Sequence, residues 1–368
     1  MKMFLRLGFA LMMVASFSSA CLWDRDTARA EADGVHDVIP AITGRFPRNP
    51  PAYYERRLER VARELETDPN QLALYDDAAV ACDRLGRTDD AIGWMVRKKF
   101  LLDKRDDATQ HYRYLANLGT FLAHKWFKEG AQVAQLAELD QACKLIADAI
   151  QLNPDAHFGR EHFQLILLDQ IRVLKAEEGQ IRRDPLIAPN PDVLEGYSAA
   201  EAANGIAGLV ALGAAWESPD VFAALANVLA ADNRTSIAHL ATKRFEELVR
   251  DGKEHILPYP APSSWQIENV APVDAYYQEA RTEADEWQAK RTAFMKALLE
   301  KGLHPDTHPG FWDGFDGGDP PKLPGYRSAS HWMHVNSNGI MMGLTIVGMI
   351  AAFLLVSLLV RAGLRALK

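Results

Sequence analysis

The chain has 368 residues, of which 48% are hydrophobic and 24% charged, with a formal net charge of −8. That length suits one extended repeat domain or two ordinary domains. Five basic residues (Lys2, Arg6, Arg361, Arg365, Lys368) sit at the two ends, so the middle is more acidic than the total indicates. Such a surface repels phosphate backbones and argues against nucleic acid as a partner.

Lys2 and Arg6 precede an apolar run from Leu7 to Phe17, followed by Ser18-Ser19-Ala20-Cys21. This order predicts a secretory signal over residues 1–20. Two readings of its processing stay open: cleavage after Ala20, or lipidation of Cys21 as the first residue of a lipoprotein. Residues 21–50, with Pro40, Pro47 and Pro50, read as an irregular lead. Tyr54, Leu58, Val61 and Leu65 then recur on one helical face until Asp68-Pro69-Asn70, which suits a capping half-repeat.

Two hairpins follow. In the first, about Leu72 to Asp103, Tyr75, Ala78, Ala79 and Cys82 line one helix, Gly86 makes the turn, and Ala91 and Met95 mark the second helix. The second hairpin runs from about Tyr112 to Pro154. It carries Leu115, Leu118-Gly119 and Leu122, then Ala142, Ile146, Ala149 and a closing Leu152-Asn153-Pro154. An insert around Lys128 to Ala137 is expected to lengthen it. Small residues at these offsets let helix axes approach to about 8–10 Å. The pattern resembles the tetratricopeptide (TPR) repeat, with Lys98 standing where a small residue is usual and Asp103 where the closing proline is expected. Together with Cys21-Leu22-Trp23-Asp24-Arg25-Asp26-Thr27, Ala116 to Thr120 and Asn153 to Glu161, it makes the chain similar to exported bacterial TPR proteins over roughly residues 21–170.

That resemblance implies an all-α, TPR-like helical-hairpin solenoid over residues 51–177 and a role in binding protein or peptide partners. It supplies no catalytic or cofactor residues. By repeat position, Asp76, Val80 and Asp83 of the first hairpin and Arg113, Asn117, Thr120 and His124 of the second would line the partner groove. Asn117 matches a position that in some TPR grooves holds an extended peptide backbone. The basic residues of a carboxylate clamp are mostly missing, with only Arg113 nearby.

His157 to Glu177 continues as one helix with Leu165, Leu168, Ile171 and Leu174 on its stripe. After a proline-bearing interruption over 178–200, helices are predicted at 199–214, 219–232 and 235–250, the last two forming a degenerate third repeat. A proline-rich connector over 258–272 leads into a long helix from Val273 to Lys301, completing the 178–302 region. Its Val273, Tyr277, Ala280, Ala284, Trp287, Phe294 and Leu298 suit either a cap along the last repeat or a coiled-coil homodimer, and Arg291 interrupts the series.

Residues 303–338, rich in Gly, Pro and Asp, read as a juxtamembrane tether. Gly339 to Val360 is a run of 22 uncharged residues, roughly 33 Å as a helix against a hydrocarbon core of about 30 Å. Basic residues over 361–368 place that tail in the cytoplasm and the main domain outside the inner membrane, in the periplasm of a bacterium. Gly339 and Gly343 form a GxxxG step, a second route to a homodimer.

No G-x-S-x-G, Walker A or Rossmann glycine pattern is present, so no catalytic residue, metal or cofactor is assigned. His157, Glu161 and His162 lack metalloprotease spacing. His304, Asp306, His308, Asp313, Asp316 and Asp319 are denser, and a metal-dependent enzyme built on 304–319 is the rival reading. An oligomeric envelope component is another. Cys82 and Cys143 suit small buried helix positions or, in an oxidising compartment, a disulfide.

Overall fold

The computed structural model describes residues 22–27, 38–154, 159–176, 196–256 and 270–323. Every regular element among them is helical. The signal region, the apolar 339–360 run with its glycine step and the basic tail lie outside the described residues. Among those described, no helix is long and apolar enough to cross a membrane.

A short helix α1 (Val38–Thr43) is followed by α2 (Pro51–Thr67), where Pro51 occupies the first turn and needs no backbone donor. It buries Tyr53, Tyr54, Arg57, Val61 and Leu65 on one face and stops at Asp68, which Pro69 holds in an extended conformation (ψ 92°). Helix α3 (Leu72–Arg84) is buried almost all round. Gly86, at φ +73°, then turns the chain into α4 (Thr88–Leu102), which buries Ala91, Met95, Lys98 and Leu102. That left-handed backbone angle is one that residues with a Cβ rarely adopt.

Asp107 caps α5 (Ala108–Lys128) by accepting from the Gln110 amide at 2.9 Å. The return helix α6 (Leu136–Leu152) packs closely on it. A Cβ at Gly119 would lie 2.8 Å from Ile146 Cγ1 and 3.0 Å from the Ala142 carbonyl, so the two backbones meet where the small residues predicted contact. The helices of this hairpin run 21 and 17 residues against 13 and 15 in the first, and the insert joins them. It forms a tight turn through Gly130 and Ala131, both at positive φ, and a short 3-10 turn over Val133–Gln135. Ala131 N–H bonds the Trp126 carbonyl at 3.0 Å, which closes off the end of α5.

Helices α7 (Arg160–Ala176), α8 (Ala199–Ala211), α9 (Pro219–Ala231) and α10 (Thr235–Arg250) continue the stack, each packed on its neighbour in sequence. The last pair is the hairpin expected as a third repeat, turned by Asn233 at φ +58°. The result is an all-helical stack of paired helices, an arrangement consistent with a solenoid.

The long helix α11 (Ala271–Glu300) packs on α10 and also on α1 and α2. Val273, Tyr277, Ala280 and Ala284 of its predicted seam are therefore buried within this chain. Arg291, which breaks that seam, is itself buried, donates to Asn49 Oδ1 at 2.9 Å and lies 4.5 Å from the Trp312 ring centroid. Residues up to Pro321 form one unit; Lys322 begins a second, of which only Lys322 and Leu323 are described.

The beginning of the expected tether is consequently folded. Phe311 is buried with Tyr53, Tyr54, Met295 and Leu299, Trp312 stacks on Phe294 at 5.9 Å between centroids, and Phe315 lies 5.4 Å from Phe294. Aromatic residues at 311, 312 and 315 give this Gly- and Pro-rich stretch enough apolar surface to dock.

Candidate functional site

The inner face of the stack, where the groove was expected, is filled by the chain's own Leu22–Thr27. Leu22 is fully buried. Asn117 of α5 holds the main chain of the next residue from both sides: Trp23 N–H donates to Asn117 Oδ1 at 2.7 Å, and Asn117 Nδ2 donates to the Trp23 carbonyl at 3.0 Å. The indole N–H donates to Tyr112 Oη at 2.9 Å, and the Arg113 guanidinium lies 4.7 Å from the ring centroid. One planar amide satisfying a donor and an acceptor on the same residue reads backbone, not side chain.

Behind Asn117 lies a buried ion pair. Lys98 Nζ donates to both oxygens of Asp76 at 2.7 Å, and Asn117 Nδ2 adds a third bond to Asp76 at 3.1 Å. This explains the lysine at a small-residue position: its ammonium neutralises an aspartate on the facing helix. Burial pushes the Asp76 carboxyl up and the Lys98 ammonium down, and their mutual attraction opposes both shifts.

The expected groove residues therefore divide. Asp76, Val80, Asn117 and Thr120 are buried and do not face solvent, because Leu22–Thr27 and the adjoining helices cover them. Thr120 accepts from Gln164 Nε2 at 3.1 Å, and Val80 belongs to the apolar core. Arg113 is half-buried over Trp23. Asp83 and His124 sit together at the rim, with His124 Nδ1 2.9 Å from Asp83 Oδ2.

A second cluster, absent from the sequence reading, joins three distant stretches of chain. Arg57, fully buried on α2, donates Nε and Nη2 to the two oxygens of Asp306 at 2.8 and 2.7 Å. Its Nη1 reaches Asp24 at 2.9 Å and Asp26 at 3.0 Å. Arg60 adds a bond to Asp306 at 2.6 Å, and Arg25 pairs with Asp77 at 2.7 Å. The Arg57 guanidinium also stacks on Tyr53, 4.6 Å from the ring centroid, and donates to its hydroxyl.

The carboxylates respond oppositely. Burial would raise Asp306, but the hydrogen bonds and charge of Arg57 outweigh it and hold the carboxyl well below its usual range. Asp24 is pushed up to about 7, by burial first and then by Asp26, with Arg57 only partly compensating. A single guanidinium saturated by one carboxylate has less attraction left for another.

This packing also bears on the His/Asp-rich stretch singled out as a metal candidate. His304 stacks on Tyr53 at 4.6 Å between centroids, places Nε2 3.1 Å from the Tyr53 carbonyl, and accepts the Asp306 amide N–H at Nδ1. Both imidazole nitrogens and both Asp306 oxygens are thus occupied by protein. Asp316 accepts from the Gly318 amide at 2.9 Å. Among the described residues, no three His, Cys, Asp or Glu side chains are grouped to hold a metal ion. Cys82 and Cys143 are free and buried, and burial pushes their thiols up to about 11 and about 12.

Beside the inner face a cavity of about 450 Å³ remains open. Asp83, Arg84, His124, Lys128, Arg48 and Trp216 are among the residues that line it. Arg48 lies 4.7 Å from the Trp216 ring centroid, and burial lowers its guanidinium to about 10, still cationic at neutral pH.

No protein-family model, curated protein or solved structure matches the chain.

Proposed function

We propose that this protein is a TPR-like scaffold, anchored in the cytoplasmic membrane by Gly339–Val360, that binds protein or peptide partners on the extracytoplasmic side. The observation that supports this reading is the grip of Asn117 on Trp23, with bonds of 2.7 and 3.0 Å to a main-chain N–H and carbonyl of one residue. A residue presented this way recognises extended polypeptide, whatever its sequence. Flanking contacts to Tyr112 and Arg113 add side-chain preference for an aromatic ring. In the described state the chain's own segment takes that place. A partner's extended segment would use the same donor and acceptor after Leu22–Thr27 leaves.

The test is site-specific photo-crosslinking in intact cells. A photoreactive residue replaces Arg113 on the inner face or, as a control, Lys144 on the outer surface, whose side chain is 72% exposed. A discrete protein adduct at position 113 that is absent at 144 and lost on competition by a peptide of sequence Leu-Trp-Asp-Arg-Asp-Thr supports the scaffold. No protein adduct at position 113 sinks it.

A further inference from the structure

We propose that the rim cavity is a binding site for a small organic acid: a carboxylate carrying an adjacent hydroxyl and an apolar body. This goes beyond the scaffold reading and does not depend on it. The volume, about 450 Å³, falls within the range of about 300–1,000 Å³ typical of small-molecule pockets.

Three features of the wall specify the ligand. The first is uncompensated positive charge. Arg84 spends its Nη2 on two main-chain carbonyls, Leu212 at 2.9 Å and Gly213 at 2.8 Å, and Lys128 donates to the Gly86 carbonyl. Among the described residues neither cation pairs with a carboxylate. The wall's two acids are engaged: Asp83 holds His124, and Glu217 pairs with Lys253 at 2.7 Å. In a chain of net charge −8, a pocket with spare cations favours an anion.

The second feature is a pair of buried polar atoms without a protein partner among the described residues: His124 Nε2 and Arg48 Nη1. His124 is 7% exposed, so its open nitrogen is out of bulk water. Such a group costs about 1–3 kcal/mol unless something bonds it. Asp83 takes the Nδ1 side, which leaves Nε2 as the ring's open polar atom. A ligand hydroxyl, able to donate or accept, answers Nε2, and its carboxylate answers Arg48 Nη1, the arm that does not face Asp285 at 3.8 Å. The third feature is apolar surface: Phe46, Tyr54 and Trp216 also line the cavity and suit an aliphatic or aromatic body.

Arg84 and His124 sit toward the C-terminal ends of α3 and α5 in the first two hairpins, and Arg48 comes from the segment between α1 and α2. The cavity therefore reads both repeats at once, and its geometry depends on their packing.

Isothermal titration of the full chain in detergent with phenyllactate tests the proposal. Phenylpropionate, lacking the hydroxyl, is the first control, and phenyllactamide, lacking the charge, is the second. The expected result is saturable phenyllactate binding, weakened about tenfold by loss of either group, the value of one charge-assisted or buried hydrogen bond. Lys128→Gln, at an exposed position that leaves packing unchanged, weakens the acid and leaves phenyllactamide unaffected. His124→Phe removes the Nε2 polar atom while keeping the bulk, and abolishes the preference for phenyllactate over phenylpropionate. Melting curves of both variants establish that they are folded. Absence of saturable binding to the folded wild-type chain overturns the site, as does binding indifferent to both substitutions. Tighter binding of a tripeptide with a free C-terminus than of phenyllactate, with the same variant profile, also overturns it and gives the cavity to chain ends.

Discussion

Asp306 holds the closure of the helical stack, and replacing it with asparagine isolates that contribution. The side chain is fully buried and takes three charge-assisted bonds, two from Arg57 at 2.8 and 2.7 Å and one from Arg60 at 2.6 Å. Asparagine keeps the shape but removes the charge and turns two N–H groups toward a guanidinium that can only donate. Removing one partner of a buried pair costs about 3–5 kcal/mol, out of a total stability on the order of 5–15 kcal/mol. Some is recovered, because Arg57 then attracts Asp24 and Asp26 more strongly, so the lower end, about 3 kcal/mol, is expected. Urea unfolding of the full chain at pH 7.5 measures the total. Hydrogen exchange localises it: amides of residues 22–27 and 53–60 should lose roughly a hundredfold in protection. Asp316→Asn serves as the control, since Asp316 accepts a single exposed N–H from Gly318, and it should shift stability by less than about 0.5 kcal/mol. A loss below about 1 kcal/mol for Asp306→Asn, or one confined to residues 303–321, would show that the cluster is not what joins the two ends.

Three further outcomes follow from the same geometry. Gly119→Val forces atoms into the 2.8 Å gap to Ile146 and should cost about 1–3 kcal/mol, read as a fall in melting temperature; an unchanged melt would mean that α5 and α6 are not in close contact. Lys98→Met strands the Asp76 carboxylate in the core and should cost about 3–5 kcal/mol, whereas Lys98→Met with Asp76→Leu should recover most of it, a difference that a double-mutant cycle resolves. For pH, Asp24 has a folded pKa of about 7, above its unfolded value of 3.8, so its burial favours the protonated form and stability falls as pH rises between those two values. Asp306 acts in the opposite sense: its depressed folded pKa contributes stability above the unfolded value that is lost as pH drops below it. Unfolding free energies at pH 5 and pH 8 should therefore show wild type weaker at pH 8, and Asp24→Asn should flatten that difference; an unchanged slope in the variant would remove Asp24 as its source.

Much of the helical framework was legible because it is written locally. Small residues at 91, 119, 142 and 149, glycine at 86 and prolines at 51 and 219 report short-range geometry, and the hairpins follow from them. Lys98 was legible only as an exception; its reason lies on the facing helix in Asp76, one helix away in sequence but invisible to a pattern of apolar spacing. Most of the expected groove residues are covered. Periodicity describes what a helix turns inward, and it cannot say whether a distant segment will lie on that face. Leu22–Thr27 has too few residues to show a period, and its strongest sequence signal was the alternation Asp24-Arg25-Asp26 set against Arg57 and Arg60. Likewise, the Gly, Pro and Asp content of 303–321 outweighed Phe311 and Trp312 in the reading as a tether, although those two rings are what seat the segment.

The order in which this fold assembles follows from the separation of its contacts. Lys98 and Asp76 are 22 residues apart, whereas Arg57 and Asp306 are 249 apart. Closing the longer loop in an unstructured chain costs about 2 kcal/mol more in conformational entropy. The hairpins need no such closure, since each finds its partner next in sequence, and their stacking brings the start of α2 toward the end of α11. The charged cluster can then form across ends already held near each other by α11 packing on α1 and α2. An ordinary solenoid frays independently at its two ends. Here Arg57 bonds Asp24 and Asp26 of the leading segment and Asp306 of the trailing one, so neither end opens without exposing a buried charge on the other. Undocking Leu22–Thr27 from Asn117 is thereby coupled to the seating of residues 303–321 through Arg57.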